Sequence, residues 1–160
     1  ALALASERPR CRVLATDLSP AAIAATQANT DHLGLGERVT VTQGTWFAPV
    51  SARTFDLIVS NPPYIASGDP RVEPAVLRYE PPEALFAGPT GLEALHTIVA
   101  GAPQHLVPGG WLIVEHGETQ GESVRGLFKA AGLSDARTHR DLAGRERCTE
   151  GRRSSAGGQI

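Results

Sequence analysis

A polar side chain followed by two prolines and an aromatic ring is the stretch of this sequence best suited to chemistry. Asn61, Pro62, Pro63 and Tyr64 directly follow a short apolar run. An Asn side-chain oxygen and a neighbouring main-chain carbonyl can accept both hydrogens of an NH2 group. Such a grip turns a poorly nucleophilic nitrogen toward an electrophile and stabilises developing charge. We predict that Asn61 and the Pro62 carbonyl are catalytic, and that Pro63 and Tyr64 shape the substrate slot.

A strand must hold this tetrapeptide in place. Residues 55–60 contain an apolar run with β-branched members, which predicts a buried strand of a parallel sheet. Pro62 and Pro63 donate no ladder hydrogen bond, so the strand ends at Asn61. Open α/β sheets bind ligands at the carboxyl ends of their strands. The simpler alternative is that Asn-Pro-Pro is only a stiff turn after a strand.

Strands alternate with helices along the chain, which predicts a doubly wound α/β fold with a mostly parallel sheet. The predicted strands are 12–16 (buried), 39–43, 55–60, 111–115, 134–139 (an edge strand) and 145–153, and the predicted helices are 1–7, 20–33, 91–106 and 120–131. Ser19 and Pro20 form a helix start, and Gly34 or Gly36 closes that helix. Pro103 is expected to shorten its helix, and the proline-rich stretch 65–89 reads as a functional loop.

Polar and aromatic residues follow several of these strands. The Asp17 carboxylate can accept two hydrogen bonds from a ribose diol, or can form an Asx turn or helix-leading cap beside Ser19. Trp46 can stack on adenine or pack on the core. Glu115 and His116 end a strand and can face the same cleft, although a structural hydrogen bond is the favoured account of His116. In the long loop, Glu80 supports the Asn61–Tyr64 segment, pairs with Arg78, or is a solvated charge.

Composition narrows the function classes. One domain with a core fits within 160 residues, and the net charge of −2 argues against a strongly electrostatic nucleic-acid binder. Cys11 and Cys148 are far apart, in no metal-ligand spacing, so we expect reduced thiols and no metal site. No apolar run approaches a membrane span. Because the chain lacks methionine and opens like the end of a helix, we expect a fragment or a processed chain.

The motifs resemble those of a known enzyme family. Asn61-Pro62-Pro63-Tyr64 resembles the signature of methyltransferases that use S-adenosylmethionine to modify amino groups of amides or nucleobases. More narrowly, further pieces spanning roughly residues 1–147 resemble the release factor glutamine methyltransferases (the HemK-like family). These pieces are Thr16-Asp17-Leu18-Ser19, Thr45-Trp46-Phe47, Arg78-Tyr79-Glu80-Pro81, Ala84-Leu85, Gly91-Leu92, Gly109-Gly110, Glu115-His116-Gly117 and Gln120-Gly121.

The resemblance implies a seven-stranded, Rossmann-like methyltransferase domain that ends in an antiparallel hairpin. Residues 1–152 would be a partial catalytic domain and residues 153–160 a flexible tail. S-adenosyl-L-methionine would be the cofactor, bound by Asp17, Leu18, Trp46 and Asn61. The substrate would be the glutamine amide in the Gly-Gly-Gln motif of peptide chain release factors. We expect a cytoplasmic monomer that binds neither membranes nor specific nucleic-acid sequences.

Two other functions stay open from the sequence. The same chemistry on the exocyclic amine of adenine or cytosine would need base flipping, a basic cleft and a target-recognition segment. A truncated, non-catalytic remnant is the other alternative, because the family's first strand and glycine-rich cofactor loop are missing from these residues. We therefore expect this chain to bind S-adenosylmethionine very weakly. Gly157-Gly158-Gln159 resembles the substrate motif itself, but a flexible Gly/Ser end is the favoured interpretation.

Overall fold

The computed structural model describes residues 1–72, 78–79 and 81–155. The chain divides into two compact units, residues 1–51 and residues 52–160. Glu80 and the Gly157-Gly158-Gln159 tail lie outside the described residues, so the hypotheses about them stay predictions. No helix in the described part of the chain is both long and apolar enough to cross a membrane.

The first unit is a pair of parallel strands with helices. Its elements are α1 (Leu2–Glu7), β1 (Val13–Asp17), α2 (Pro20–His32), β2 (Val39–Gln43) and a 3-10 turn (Ala48–Val50). β1 and β2 run in register from Val13 opposite Val39 to Asp17 opposite Gln43. A small core of Ala5, Leu35 and Val39 joins α1 to β2. The pairing brings the carboxyl ends of both strands to one edge.

Local chemistry sets the ends of α2. The Ser19 hydroxyl accepts a hydrogen bond from the Ala22 amide (3.3 Å), and Pro20 takes the first helical position. Gly34 follows the helix with a φ of +65°, which glycine adopts without steric penalty. The prediction of a helix that begins at Pro20 and closes at Gly34 is confirmed. The prediction that β1 is a buried strand is wrong, because Thr16 and Asp17 are exposed and the rest is half-buried.

The second unit is a four-stranded mixed sheet. Its elements are β3 (Phe55–Ser60), α3 (Pro82–Leu85), α4 (Glu93–His105), β4 (Leu106–Glu115), α5 (Gly121–Ala130), β5 (Leu133–Arg140) and β6 (Glu146–Arg153). The strand order is β3-β4-β6-β5, with β3 and β4 parallel and the other neighbours antiparallel. The predicted antiparallel hairpin and the edge position of β5 are confirmed.

Helix periodicity and strand alternation build the core of this unit. Leu95, Ile98 and Val99 recur on one face of α4, and Val124 and Phe128 are one turn apart on α5. All five are buried, with exposures of 2% or less. On β4 every second residue from Gly110 to Val114 is buried. The two helices and the sheet therefore share one apolar core.

Three predictions about these elements are wrong. Leu57 and Val59 are exposed (41% and 54%), because β3 is an edge strand of its sheet and its side chains at these positions are left uncovered. β4 begins at Leu106 rather than Trp111, with Gly109 at a φ of +80° inside it and a register shift opposite β3. Pro103 does not shorten α4, because it lies in the last turn, where only one helical hydrogen bond is lost.

The described residues within 65–89 include regular structure. It contains α3, and an isolated parallel bridge pairs Ile65 with Phe86. The Ala87 amide donates to the Ile65 carbonyl (2.9 Å), and the Ser67 amide donates to the Gly88 carbonyl (2.8 Å). The two ends of the stretch are therefore joined beside the Asn61–Tyr64 segment.

Gly151 in β6 offers a test of this core. A Cβ atom at Gly151 would lie 2.4 Å from Cδ1 of Phe128, whose side chain is fully buried. We expect Gly151→Ala to lower the free energy of unfolding by about 1–3 kcal/mol, because the ring has no room to move. Gly126→Ala in α5 meets open space and should raise it by about 0.5–1 kcal/mol. Urea denaturation of both variants measures the difference, and similar effects would contradict this packing.

Candidate functional site

Asn61 is presented at the carboxyl end of β3. β3 stays in parallel register with β4 up to Ser60, one residue earlier. Asn61 is exposed and Pro62 is buried. Within the described residues, neither the Asn61 side chain nor the Pro62 carbonyl takes part in a hydrogen bond. Two oxygen acceptors one residue apart are thus without a hydrogen-bond partner among the described residues.

Tyr64 is tied to the end of β4 through its hydroxyl. That hydroxyl donates to Oε1 of Glu115 at 3.0 Å. Burial raises the pKa of Tyr64, and the hydrogen bond to Glu115 and that carboxylate's negative charge raise it further, while Arg147 opposes the shift. Tyr64 is therefore held neutral and half-buried, with its hydroxyl fixed at the end of β4.

The Tyr64 carbonyl accepts a hydrogen bond from Gln120 and lies close to Gly91. Nε2 of Gln120 donates to the carbonyl oxygens of Tyr64 (3.1 Å) and Gly91 (3.2 Å), and Oε1 accepts from the Gly117 amide (2.8 Å). Gly91 has a φ of +75°, and a Cβ there would lie 2.6 Å from the Tyr64 oxygen. Only glycine permits this close approach.

His116 is buried rather than facing a cleft. Its Nδ1 donates to the Gly117 carbonyl (2.9 Å), which can only accept, and its Nε2 is hydrogen-bonded to the Thr149 hydroxyl (2.9 Å). Thr149 in turn bonds to Thr138, to which Arg125 donates (2.6 Å). The prediction of a structural hydrogen bond is confirmed, and the suggestion that His116 faces a ligand cleft is wrong.

Asp17 forms the predicted turn beside Ser19, and its side chain is still exposed. Its Oδ1 accepts a hydrogen bond from the Ser19 amide (2.8 Å), which is the expected turn before α2. It also lines an open cleft of about 380 Å³ within the first unit, together with Ala15, Thr16 and Ile23. The turn fixes the carboxylate, and the cleft leaves it accessible.

Leu18 and Trp46 lie near Asp17 at the same strand ends. Leu18 is 58% exposed, and its carbonyl accepts a hydrogen bond from Nε2 of Gln43 (3.1 Å). The Gly44 amide donates to the Asp17 carbonyl (2.9 Å) and starts the turn that carries Trp46. Trp46 is half-buried with a φ of +47°, a conformation that costs a bulky residue roughly 1–3 kcal/mol and often marks a functional position.

The predicted site residues thus fall into two groups. Asp17, Leu18 and Trp46 gather in the first unit, and Asn61–Tyr64 lie in the second. Sequence reasoning gave no role to Gln120 and missed the partner of Glu115. A Gln directly before a helix was the available signal, because short polar residues usually hold that position.

Comparison with known proteins identifies relatives along the whole chain. The family described as "Methyltransferase small domain" matches residues 1–78. A release factor glutamine methyltransferase of Xylella fastidiosa is 51% identical over 95% of this chain and 55% of its own length. A protein of the same name from Salmonella typhimurium is 47% identical over 95% of this chain and 54% of its own. The chain therefore spans about half the length of these relatives.

Solved structures support the same fold. A methyltransferase from Pyrococcus furiosus superimposes with a TM-score of 0.70 at 18% identity, over 96% of this chain and 68% of that one. At 18% identity this similarity supports a shared fold and nothing more. The prediction of an α/β, Rossmann-like methyltransferase fold is confirmed.

The Tyr64–Glu115 contact can be tested by titration. The chain has two tyrosines, so Tyr79→Phe leaves Tyr64 as the only phenol. We expect its ionisation midpoint, followed by tyrosinate absorbance, to lie above that of an exposed tyrosine. Glu115→Gln should lower that midpoint, because it removes a negative charge that disfavours the phenolate. Glu118→Gln, on an exposed residue, is the control, and equal midpoints in both variants would contradict the contact.

Proposed function

We propose that this chain, which belongs to the release factor glutamine methyltransferase family, carries the substrate-holding part of an enzyme that methylates glutamine. The donor would be S-adenosylmethionine, and the acceptor the side-chain amide of glutamine in the Gly-Gly-Gln motif of peptide chain release factors. The observation that carries the proposal is the pair of available acceptors, the Asn61 side chain and the Pro62 carbonyl, at the carboxyl end of β3.

The two acceptors suit an amide nitrogen. Oδ1 of Asn61 and the Pro62 carbonyl oxygen would each accept one hydrogen of the glutamine NH2 group. Because both N–H bonds are held, the remaining face of the nitrogen is directed toward the methyl donor. The same oxygens would stabilise the positive charge that develops on nitrogen as its bond to the methyl carbon forms and the bond from the donor sulfur to that carbon breaks. The sulfur departs as a neutral thioether, and one N–H proton passes to solvent, which leaves the neutral N-methyl amide. Pro63 and Tyr64 would shape the slot around the amide plane.

The residues of the first unit suit a nucleoside cofactor. Asp17 is exposed in a cleft and fixed by the turn before α2, so its carboxylate would accept hydrogen bonds from the ribose hydroxyls. Trp46 would stack on the adenine, with Leu18 beside it. When bound, S-adenosylmethionine supplies an electrophilic methyl group on a sulfonium.

The partner and setting follow from the same proposal. Release factors would be the protein substrate, and the enzyme would act as a cytoplasmic monomer. Nucleic acid would not be a substrate, because the net charge of −2 offers little attraction to a phosphate backbone.

Methyl transfer measured with the protein at its full natural length tests the proposal. Labelled S-adenosylmethionine would be supplied with a release factor, with the same factor carrying Ala in place of the glutamine, or with DNA. We expect label only in the unaltered release factor. Label in DNA, or equal label in the Ala-substituted factor, would overturn the proposed substrate.

Asn61→Ala tests the role of the amide grip. We expect kcat to fall about 100- to 1,000-fold, the loss typical when one preorganised hydrogen-bonding group is removed from a reacting centre. Asn29→Ala is the matched control, because Asn29 is the chain's other asparagine and is exposed on α2. Normal turnover by Asn61→Ala would show that the chemistry is done elsewhere.

A further inference from the structure

We propose that Gln120 is a positioning residue for methyl transfer, acting through the main chain of Tyr64 to fix the Asn61–Pro62 acceptor pair. The inference rests on the proposed function, since it concerns the geometry of that same site. Three observations carry it, namely the assigned orientation of the Gln120 amide, its place at the start of α5, and the anchoring of the Asn61–Tyr64 segment at both ends.

The orientation of the Gln120 amide follows from its partners. The Gly117 amide can only donate, so it must meet Oε1 (2.8 Å). The carbonyls of Tyr64 and Gly91 can only accept, so they must meet Nε2 (3.1 and 3.2 Å). Both hydrogens of the amide thus have a carbonyl partner, and the group links three separate segments of the second unit.

Gln120 does not serve the helix that it precedes. It occupies the N-cap position of α5, yet its side chain makes no capping hydrogen bond. Short polar residues such as Ser or Asp stabilise helices at that position by bonding to the first-turn amides. The longer Gln side chain instead reaches Tyr64, so local helix stability does not account for its contacts.

The segment that holds the acceptors is anchored on both sides. Before Asn61, β3 is hydrogen-bonded to β4 up to Ser60. After Pro63, the Tyr64 carbonyl is held by Gln120 and the Tyr64 hydroxyl by Glu115. The two prolines restrict the main chain in between. Releasing the carbonyl would leave the Tyr64 side chain and the Ile65 main chain, which is hydrogen-bonded to Leu85 and Ala87, as the anchors after Pro63. The direction of the Pro62 carbonyl would then be less closely fixed.

Two substitutions separate positioning from folding. Gln120→Glu keeps the shape but turns a carboxylate oxygen toward two carbonyl oxygens, and Gln120→Leu removes the amide without adding charge. Gln104→Glu and Gln104→Leu, at an exposed site on α4, are the matched controls. Each variant would be made in the protein at its full natural length, with thermal unfolding measured alongside activity.

For Gln120→Glu and Gln120→Leu we expect kcat for the release factor to fall on the order of tenfold to a hundredfold. A loss of this size is typical when groups at a reacting centre are misplaced. The KM for S-adenosylmethionine should stay unchanged, because its proposed ligands lie mainly in the first unit. A loss confined to the cofactor KM, wild-type turnover, or a loss that simply follows thermal unfolding would overturn the inference.

Hydrogen–deuterium exchange gives a readout that does not depend on activity. We expect faster exchange at residues 61–67 in Gln120→Leu than in wild type or Gln104→Leu, with β6 unchanged. Unchanged exchange at residues 61–67 would overturn the inference. If exchange rises as expected but the wild-type protein fails to methylate the release factor, the proposed function fails and the Gln120 contact stands.

Discussion

The parallel pairing of β3 with β4 is the constraint on which the second unit depends. Because parallel strands bring their carboxyl ends to one edge, Asn61–Tyr64 after β3 and Glu115–Gly117 after β4 must emerge side by side. The Tyr64–Glu115 and Tyr64–Gln120 hydrogen bonds follow from that placement. A shift of register would separate both contacts at once.

A buried chain of hydrogen bonds links this edge to the terminal hairpin. Arg125 donates to Thr138, the two threonines bond to each other, and Thr149 is hydrogen-bonded to Nε2 of His116. His116 then donates to the Gly117 carbonyl, while the Gly117 amide donates to Gln120. Both ring nitrogens of the buried His116 therefore have a partner, which is what a buried polar group requires. The hairpin of β5 and β6 therefore helps to set the position of Gly117, and through it Gln120.

The first unit shows that a local role and a ligand role can share one residue. Asp17 closes the turn before α2 with one carboxylate oxygen, and the same bond limits the directions in which the carboxylate can point. Trp46 has its positive φ in a turn closed by the Ala48 amide on the Thr45 carbonyl, directly after Gly44, whose amide donates to the Asp17 carbonyl. The end of β1 therefore positions the proposed ribose ligand and the proposed adenine contact together.

The sequence alone determined the order of helices and strands apart from α3, the Ser19–Pro20 start of α2 and the end of β3 directly before Asn61. These features depend on capping, periodicity and the missing N–H of proline, which act within a few residues. It also identified Asn61–Tyr64 and Asp17 as candidate site residues, since their types and their positions after strands are visible locally.

Only the tertiary structure decided which residues hold the site in place. Nothing local to Gln120 indicates that its amide meets Tyr64, 56 positions earlier, and nothing local to His116 indicates that it is buried against Thr149. The exposure of Leu57 and Val59 likewise depends on which strands flank β3. Such contacts join segments that are distant along the chain, so they exist only once the sheet has brought those segments together.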